Sequence, residues 1–149
     1  MINATHSQHF QLSFDDGRVD SFDSTYSSFN REMCGDAADQ WVPLKLESVE
    51  VQTLIPLIDA VRFFELAENQ VESKLVDKDK GISLTCNPCA KSQLQIKLGD
   101  MSNKVFWDCG CARKISPPES IEPLVKGIKA ILYQRKEVKS MQKTNCVFF

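Results

Sequence analysis

The feature that most constrains the fold is a stretch of alternation bracketed by cysteines, from Cys86 to Cys111. Leu94, Ile96 and Leu98 alternate with polar residues, and after Gly99-Asp-Met-Ser-Asn103 the residues Val105 and Trp107 alternate back. A period of two puts every second side chain on one face of an extended chain, so the stretch reads as a half-buried β-hairpin. Lys104, Phe106 and Asp108 fall on its other face, where Phe106 suggests a partly covered outer side. With the turn centred near Met101, Cys109 is expected opposite Gln93 and Cys111 opposite Lys91. Cys86 and Cys89 then lie just beyond, so all four thiols meet at the open end of the hairpin.

Cys86-x-x-Cys89 with Cys109-x-Cys111 is compatible with two structural roles, free thiols being the remaining reading. One is a pair of disulfides in an oxidising compartment, each worth about 2–4 kcal/mol. The other is a single structural zinc held by four thiolates at about 2.3 Å, although the second pair is one residue short of the usual knuckle. A thioredoxin-like redox role would need the first pair at a helix N-terminus, where the dipole lowers the thiol pKa. Here the pair lies between strands.

The rest of the chain supplies material to pack against that hairpin. Phe10, Leu12 and Phe14 form another alternating strand, and Asp15-Asp16-Gly17 turns it. The return, Arg18 to about Phe29, changes phase between Val19 and Phe22, which predicts a bulge or break. Cys34 to Asp39 is a loop, and Trp41, Val42, Leu44 and Leu46 predict a further short strand. Val51, Leu54, Ile55, Ile58, Val61 and Phe64 make a helical stripe behind Ser48, a fair N-cap. Pro56 conflicts with a helix interior, so the helix is expected to begin near Thr53, with Pro56 in its first turn, or else to be kinked or irregular at Pro56. Ile121, Leu124, Ile128, Ile131 and Leu132 define a second amphipathic helix, with Ser116 or Ser120 as its N-cap and Pro123 in its first turn. Beyond Tyr133 the chain turns basic and is expected to continue as an exposed tail.

Length and charge narrow the functional classes. The chain has 149 residues, enough for one domain with a real core. Its net charge of -2 disfavours nucleic acid as a partner. No window is long and apolar enough for an integral membrane segment. Both histidines, His6 and His9, lie near the N-terminus, away from any expected core. No phosphate loop, nucleophile elbow or paired metal histidines appear, so no catalytic residue is assigned. The acidic pairs Asp15-Asp16 and Asp36–Asp39 lack the loop spacing of a calcium site. Cys146-Val-Phe-Phe149 fits a prenylation box, with Arg135, Lys136, Lys139 and Lys143 upstream as a basic patch. The competing reading is an ordinary tail, or Cys146 paired with Cys34.

Three segments resemble a group of small, mostly exported bacterial domains: Val19-Asp-Ser-Phe22-Asp-Ser-Thr25-Tyr26, Phe63-Phe64-Glu-Leu66 and Lys104-Val-Phe-Trp-Asp108. The resemblance implies an α+β fold in a periplasmic or lipoprotein setting, with the export signal removed, and carries no catalytic residues. The cysteine cluster is not part of it.

The expected architecture is α+β: an antiparallel sheet of about five strands with two helices packed on one face. Residues 9–134 form the domain, 1–8 a flexible N-terminus and 135–149 a flexible basic tail. The expected function is a non-catalytic binding or structural module of the bacterial envelope, acting on a protein or cell-envelope partner. The alternative is an intracellular adaptor stabilised by zinc on Cys86, Cys89, Cys109 and Cys111, tethered to a membrane through lipidation of Cys146.

Overall fold

The computed structural model describes residues 9–68, 74–77, 82–84, 91–107 and 117–147. The fold is α+β. Its sheet has six strands, one more than expected: β1 (Phe10–Asp15), β2 (Asp20–Asp23), β3 (Ser28–Arg31), β4 (Gln40–Pro43), β7 (Ser92–Leu98) and β8 (Met101–Trp107). They lie in the order β4-β3-β2-β1-β7-β8, every neighbour antiparallel. The extra strand arises beyond the expected break between Val19 and Phe22. The chain reverses at residues 24–27, with Ser27 at φ 48°, instead of bulging, so the expected single return strand becomes β2 and β3. A separate two-stranded ribbon pairs β5 (Lys74–Asp77) with β6 (Ile82–Leu84).

Alternation sorts the main sheet into two faces. Leu12, Phe14, Phe22, Phe29, Leu94, Ile96, Val105 and Trp107 all point to the helical side and are buried. Each large apolar side chain removed from water in this way contributes roughly 1.5–3 kcal/mol, so the register is firmly held. The two main helices cover this face: α1 (Ser48–Ala60) supplies Val51, Leu54, Ile55 and Ile58, and α2 (Glu122–Gln134) supplies Leu124, Val125, Ile128 and Leu132. The helices cross closely at Gly127, where an added Cβ would run into the Leu57 side chain.

Four local expectations need correction. First, the β7–β8 hairpin turns at Gly99-Asp100, with Gly99 at φ 60°, and Leu98 already faces Met101. Gln93 therefore faces Phe106, not Cys109. The two-residue turn wins because glycine accepts the left-handed conformation it requires.

Second, α1 begins at Ser48, with Glu47 as its cap and Pro56 inside it. Glu50 Oε1 accepts the Glu47 N–H at 2.9 Å, satisfying a donor at the first turn. Val51, Leu54 and Ile55 are buried, so their packing holds the helix through the position where Pro56 cannot donate.

Third, the N-cap of α2 is Ile121 and not a serine, with Pro123 in the first turn as expected.

Fourth, residues 135–141 are not an exposed tail. Arg135 breaks the helix with ψ 133°, a short α3 (Lys136–Lys139) follows, and Val138 and Met141 join the core. The break is fixed by the Arg135 guanidinium. It donates to the Lys45 carbonyl at 2.9 Å, Glu50 Oε1 at 2.7 Å and Glu137 Oε2 at 2.6 Å.

Candidate functional site

Among the described residues, three groups of chemistry-bearing side chains stand out, and two of them are spent on architecture. The first lies at the end of the core face, between β2, β3 and α2. Asp20 and Arg31 are cross-strand partners in the β2–β3 pair, so their side chains meet. Arg31 donates from Nε to Asp20 Oδ1 at 2.8 Å and from Nη2 to Oδ2 at 3.1 Å, a bidentate pair. Tyr133 on α2 donates its hydroxyl to Asp20 Oδ2 at 2.7 Å. Burial first, and then the bond to Asp20, push the Tyr133 phenol well above its usual range. The hydrogen bond to Asp20 likewise raises the already high pKa of the Arg31 guanidinium.

Asp16 sits in the β1–β2 turn beside this cluster. Its Oδ1 accepts the backbone N–H groups of Arg18, Val19 and Asp20 at 2.7, 3.1 and 3.2 Å. Burial lifts the Asp16 carboxyl above the usual carboxylate range. The Arg18 N–H opposes that shift, and the Asp20 charge adds to it. Every member of the cluster has its partners, and the result is a clasp joining the sheet to α2.

The cysteines occupy the second place. Cys34 and Cys146 form a disulfide with a sequence separation of 112 residues. The Cys146 sulfur is therefore committed, and in this state it has no thiol to alkylate. Cys86, Cys89, Cys109 and Cys111 lie outside the described residues. Among the described residues, no group of three or more metal-ligating side chains converges on one point, and no helix is long and apolar enough to cross a membrane.

The third place is the sheet face turned away from the helices, and it is the candidate site. Pairing Ser13 with Asp23 and with Gln95 puts all three on this face, next to Gln11 and Lys97 on the same strands. Together with Leu12 and Thr25 they line a shallow depression of about 120 Å³. None of the side chains of Gln11, Ser13, Gln95 or Lys97 forms a hydrogen bond or ion pair among the described residues. Asp23 is the exception, since Oδ1 accepts the Thr25 N–H at 2.8 Å.

Aromatic side chains mark two corners of this face. At one edge Trp41 on β4 is 59% exposed, while its indole N–H is held by Ser28 Oγ at 2.7 Å. Asn30 donates to the same Oγ at 2.7 Å, which fixes the Trp41 ring in place. At the opposite edge Phe106 is half-buried under the Lys104 ammonium, 4.9 Å from the ring centroid. Tyr26 projects from the β2–β3 turn and is 78% exposed.

Chemically, the depression offers neutral amides and hydroxyls, one lysine (Lys97) and one aspartate (Asp23), with a pinned aromatic plane at the rim of the face. Such a set donates and accepts hydrogen bonds and stacks. Sequence reasoning passed over it because glutamine and serine on the outer positions of a strand look like solvated surface. The alternation placed these residues on one face, but the strand order that brings Gln11 beside Gln95 is a tertiary property. Trp107, unlike Trp41 and Tyr26, is buried on the core side.

No family model, curated protein or solved structure matches the chain.

Proposed function

We propose that this protein is a non-catalytic binding module that works in an oxidising compartment, engaging a protein or cell-envelope partner through the open face of its sheet. The observation that carries the reading is the group of polar side chains on β1 and β7, Gln11, Ser13, Gln95 and Lys97, which have no partner of their own among the described residues. Elsewhere polar side chains such as Asp20, Arg31, Tyr133, Glu50 and Arg135 are bound to one another. Unspent hydrogen-bonding groups on a rigid sheet, rimmed by a fixed tryptophan, match the anatomy of a polar recognition surface. The Cys34–Cys146 disulfide supports the compartment, because such bonds persist where thiols are not kept reduced.

The test places a photo-crosslinking side chain at Gln95 on the open face and, separately, at Lys126 on the exposed side of α2, in protein exported to the periplasm of a bacterial host. The expected result is a discrete cross-linked species from position 95 that disappears in a Gln11→Ala, Trp41→Ala background, with none from position 126. Equal cross-linking from both positions, or a position-95 adduct indifferent to those substitutions, would overturn the assignment of the face. Alkylation of the exported protein without reductant tests the compartment: a modified Cys34 or Cys146 would count against it.

A further inference from the structure

Residues 140–147 run as a strap across the loop that follows β3. The strap holds on through surface contacts. The Gln142 carbonyl accepts Gln40 Nε2 at 2.7 Å and Arg31 Nη1 at 3.3 Å, and the Gln142 N–H donates to Gln40 Oε1 at 2.8 Å. Thr144 donates its hydroxyl to the Glu32 carbonyl at 2.8 Å. Asn145 accepts the Cys34 N–H at 2.7 Å and donates to the Cys34 carbonyl at 2.9 Å. Past Met141 no described residue of the strap is buried. The covalent anchor is accessible as well: Cys34 is exposed, Cys146 is half-buried, and beside Cys34 a Cβ placed on Gly35 would meet nothing within 4 Å.

We propose that the Cys34–Cys146 disulfide is a releasable latch: its reduction frees residues 142–147 from the loop while the sheet and the α1–α2 layer stay folded. Ordering an extended segment costs conformational entropy at every residue, and a water-exposed hydrogen bond returns a net gain of similar or smaller size. The strap has only such bonds and buries no apolar side chain after Met141, so the cross-link decides whether it stays down. The core does not depend on it, since its buried residues run from Leu12 to Met141.

The chemistry is thiol–disulfide exchange with a protein dithiol of the Cys-x-x-Cys class. A thiolate of the reductant attacks one sulfur of the pair, the S–S bond breaks, and the other cysteine leaves as a thiolate and takes a proton. The second thiol of the reductant then resolves the mixed disulfide. Two electrons and two protons pass to Cys34 and Cys146, and the reductant ends as its own disulfide. Release uncovers the Glu32 carbonyl, both backbone groups of Cys34 and the Gln40 amide, beside the free edge strand β4. The redox state thus sets whether this row of donors and acceptors is occupied by the strap or open.

The test compares the oxidised protein with a Cys34→Ser, Cys146→Ser variant by backbone NMR relaxation, which leaves the other cysteines untouched. The expected result is a fall in order parameter across residues 142–147 from the rigid range of about 0.85 to below about 0.6. Dispersed shifts for β1, β2, β7 and β8 should be retained. The same loss is expected in the parent protein after reduction by a dithiol, and should reverse on reoxidation. A strap that stays rigid in the variant would show that hydrogen bonds alone hold it. A variant that loses the shift dispersion of the sheet, or fails to fold, would show a staple for the whole domain; either outcome overturns the latch.

Discussion

Replacing Asp20 with alanine leaves two donors stranded at the junction of sheet and helix. In the native protein the Arg31 and Asp20 side chains are only 12% and 8% exposed, and the carboxylate satisfies Arg31 twice and Tyr133 once. Removing one partner of such a pair costs about 3–5 kcal/mol, because the remaining charge stays out of water without compensation. Arg31 keeps one contact, Nη1 to the Gln142 carbonyl at 3.3 Å, and lies near the protein surface, so the lower end applies. About 3 kcal/mol in a chain of 149 residues corresponds to a drop in Tm of about 6–12 °C.

Urea unfolding monitored by tryptophan fluorescence measures the change directly, and a cycle with Arg31→Met apportions it. The double variant should be no less stable than Asp20→Ala alone, since it removes the stranded charge, with a coupling of about 2–3 kcal/mol. Tyr133→Phe, which deletes a single hydrogen bond, should cost about 1 kcal/mol. An Asp20→Ala variant within about 1 kcal/mol of the parent, or additive effects in the cycle, would refute the claim that this cluster clasps α2 to the sheet.

Other perturbations test separate parts of the fold. Asp16 has a folded pKa above its unfolded value. The folded state therefore holds the proton more tightly, and stability from this group falls as pH rises through the interval between the two. Asp16→Asn keeps an oxygen for the three backbone donors and should remove that decline; urea midpoints at pH 4 and pH 7 check it, and a variant hurt more at pH 7 than at pH 4 contradicts it. Gly17 sits at φ 78°, with a would-be Cβ 2.9 Å from Ser92 Oγ and 3.0 Å from its backbone nitrogen. Gly17→Ala should therefore cost about 2–3 kcal/mol in urea unfolding, and a neutral result would mean that the turn moves freely. Pro56 is exposed and breaks the hydrogen-bond ladder of α1, so Pro56→Ala should stabilise by about 1–2 kcal/mol in thermal melts; a destabilised variant would show that the proline ring itself is packed.

Much of the architecture is legible in the order of residues because burial has a period. Leu94, Ile96 and Leu98 against Val105 and Trp107 define a hairpin and its inward face without any knowledge of partners, and the stripes of α1 and α2 do the same for the helices. Local chemistry is legible too: Asp-Gly and Gly-Asp mark turns, and glycine supplies the positive φ at Gly17 and Gly99. Periodicity fails where several local solutions lie close in energy. The two-residue turn at Gly99 shifts the hairpin register away from the one that would set Cys109 opposite Gln93. Pro56 stays inside a helix because three buried neighbours outweigh one missing hydrogen bond.

What the sequence by itself determined is the α+β class and the inward face of β1, of the β7–β8 hairpin and of the two main helices. Only the tertiary structure decided which distant residues meet. Asp20 reaches Tyr133, Arg135 reaches Glu50, and Cys34 reaches Cys146 across 112 positions. It also converted an apparent tail into part of the core, and outer-face glutamines into a surface. The physical reason is range: backbone propensity and alternation act over a few residues, whereas a hydrogen bond or disulfide depends on the strand order that packing selects.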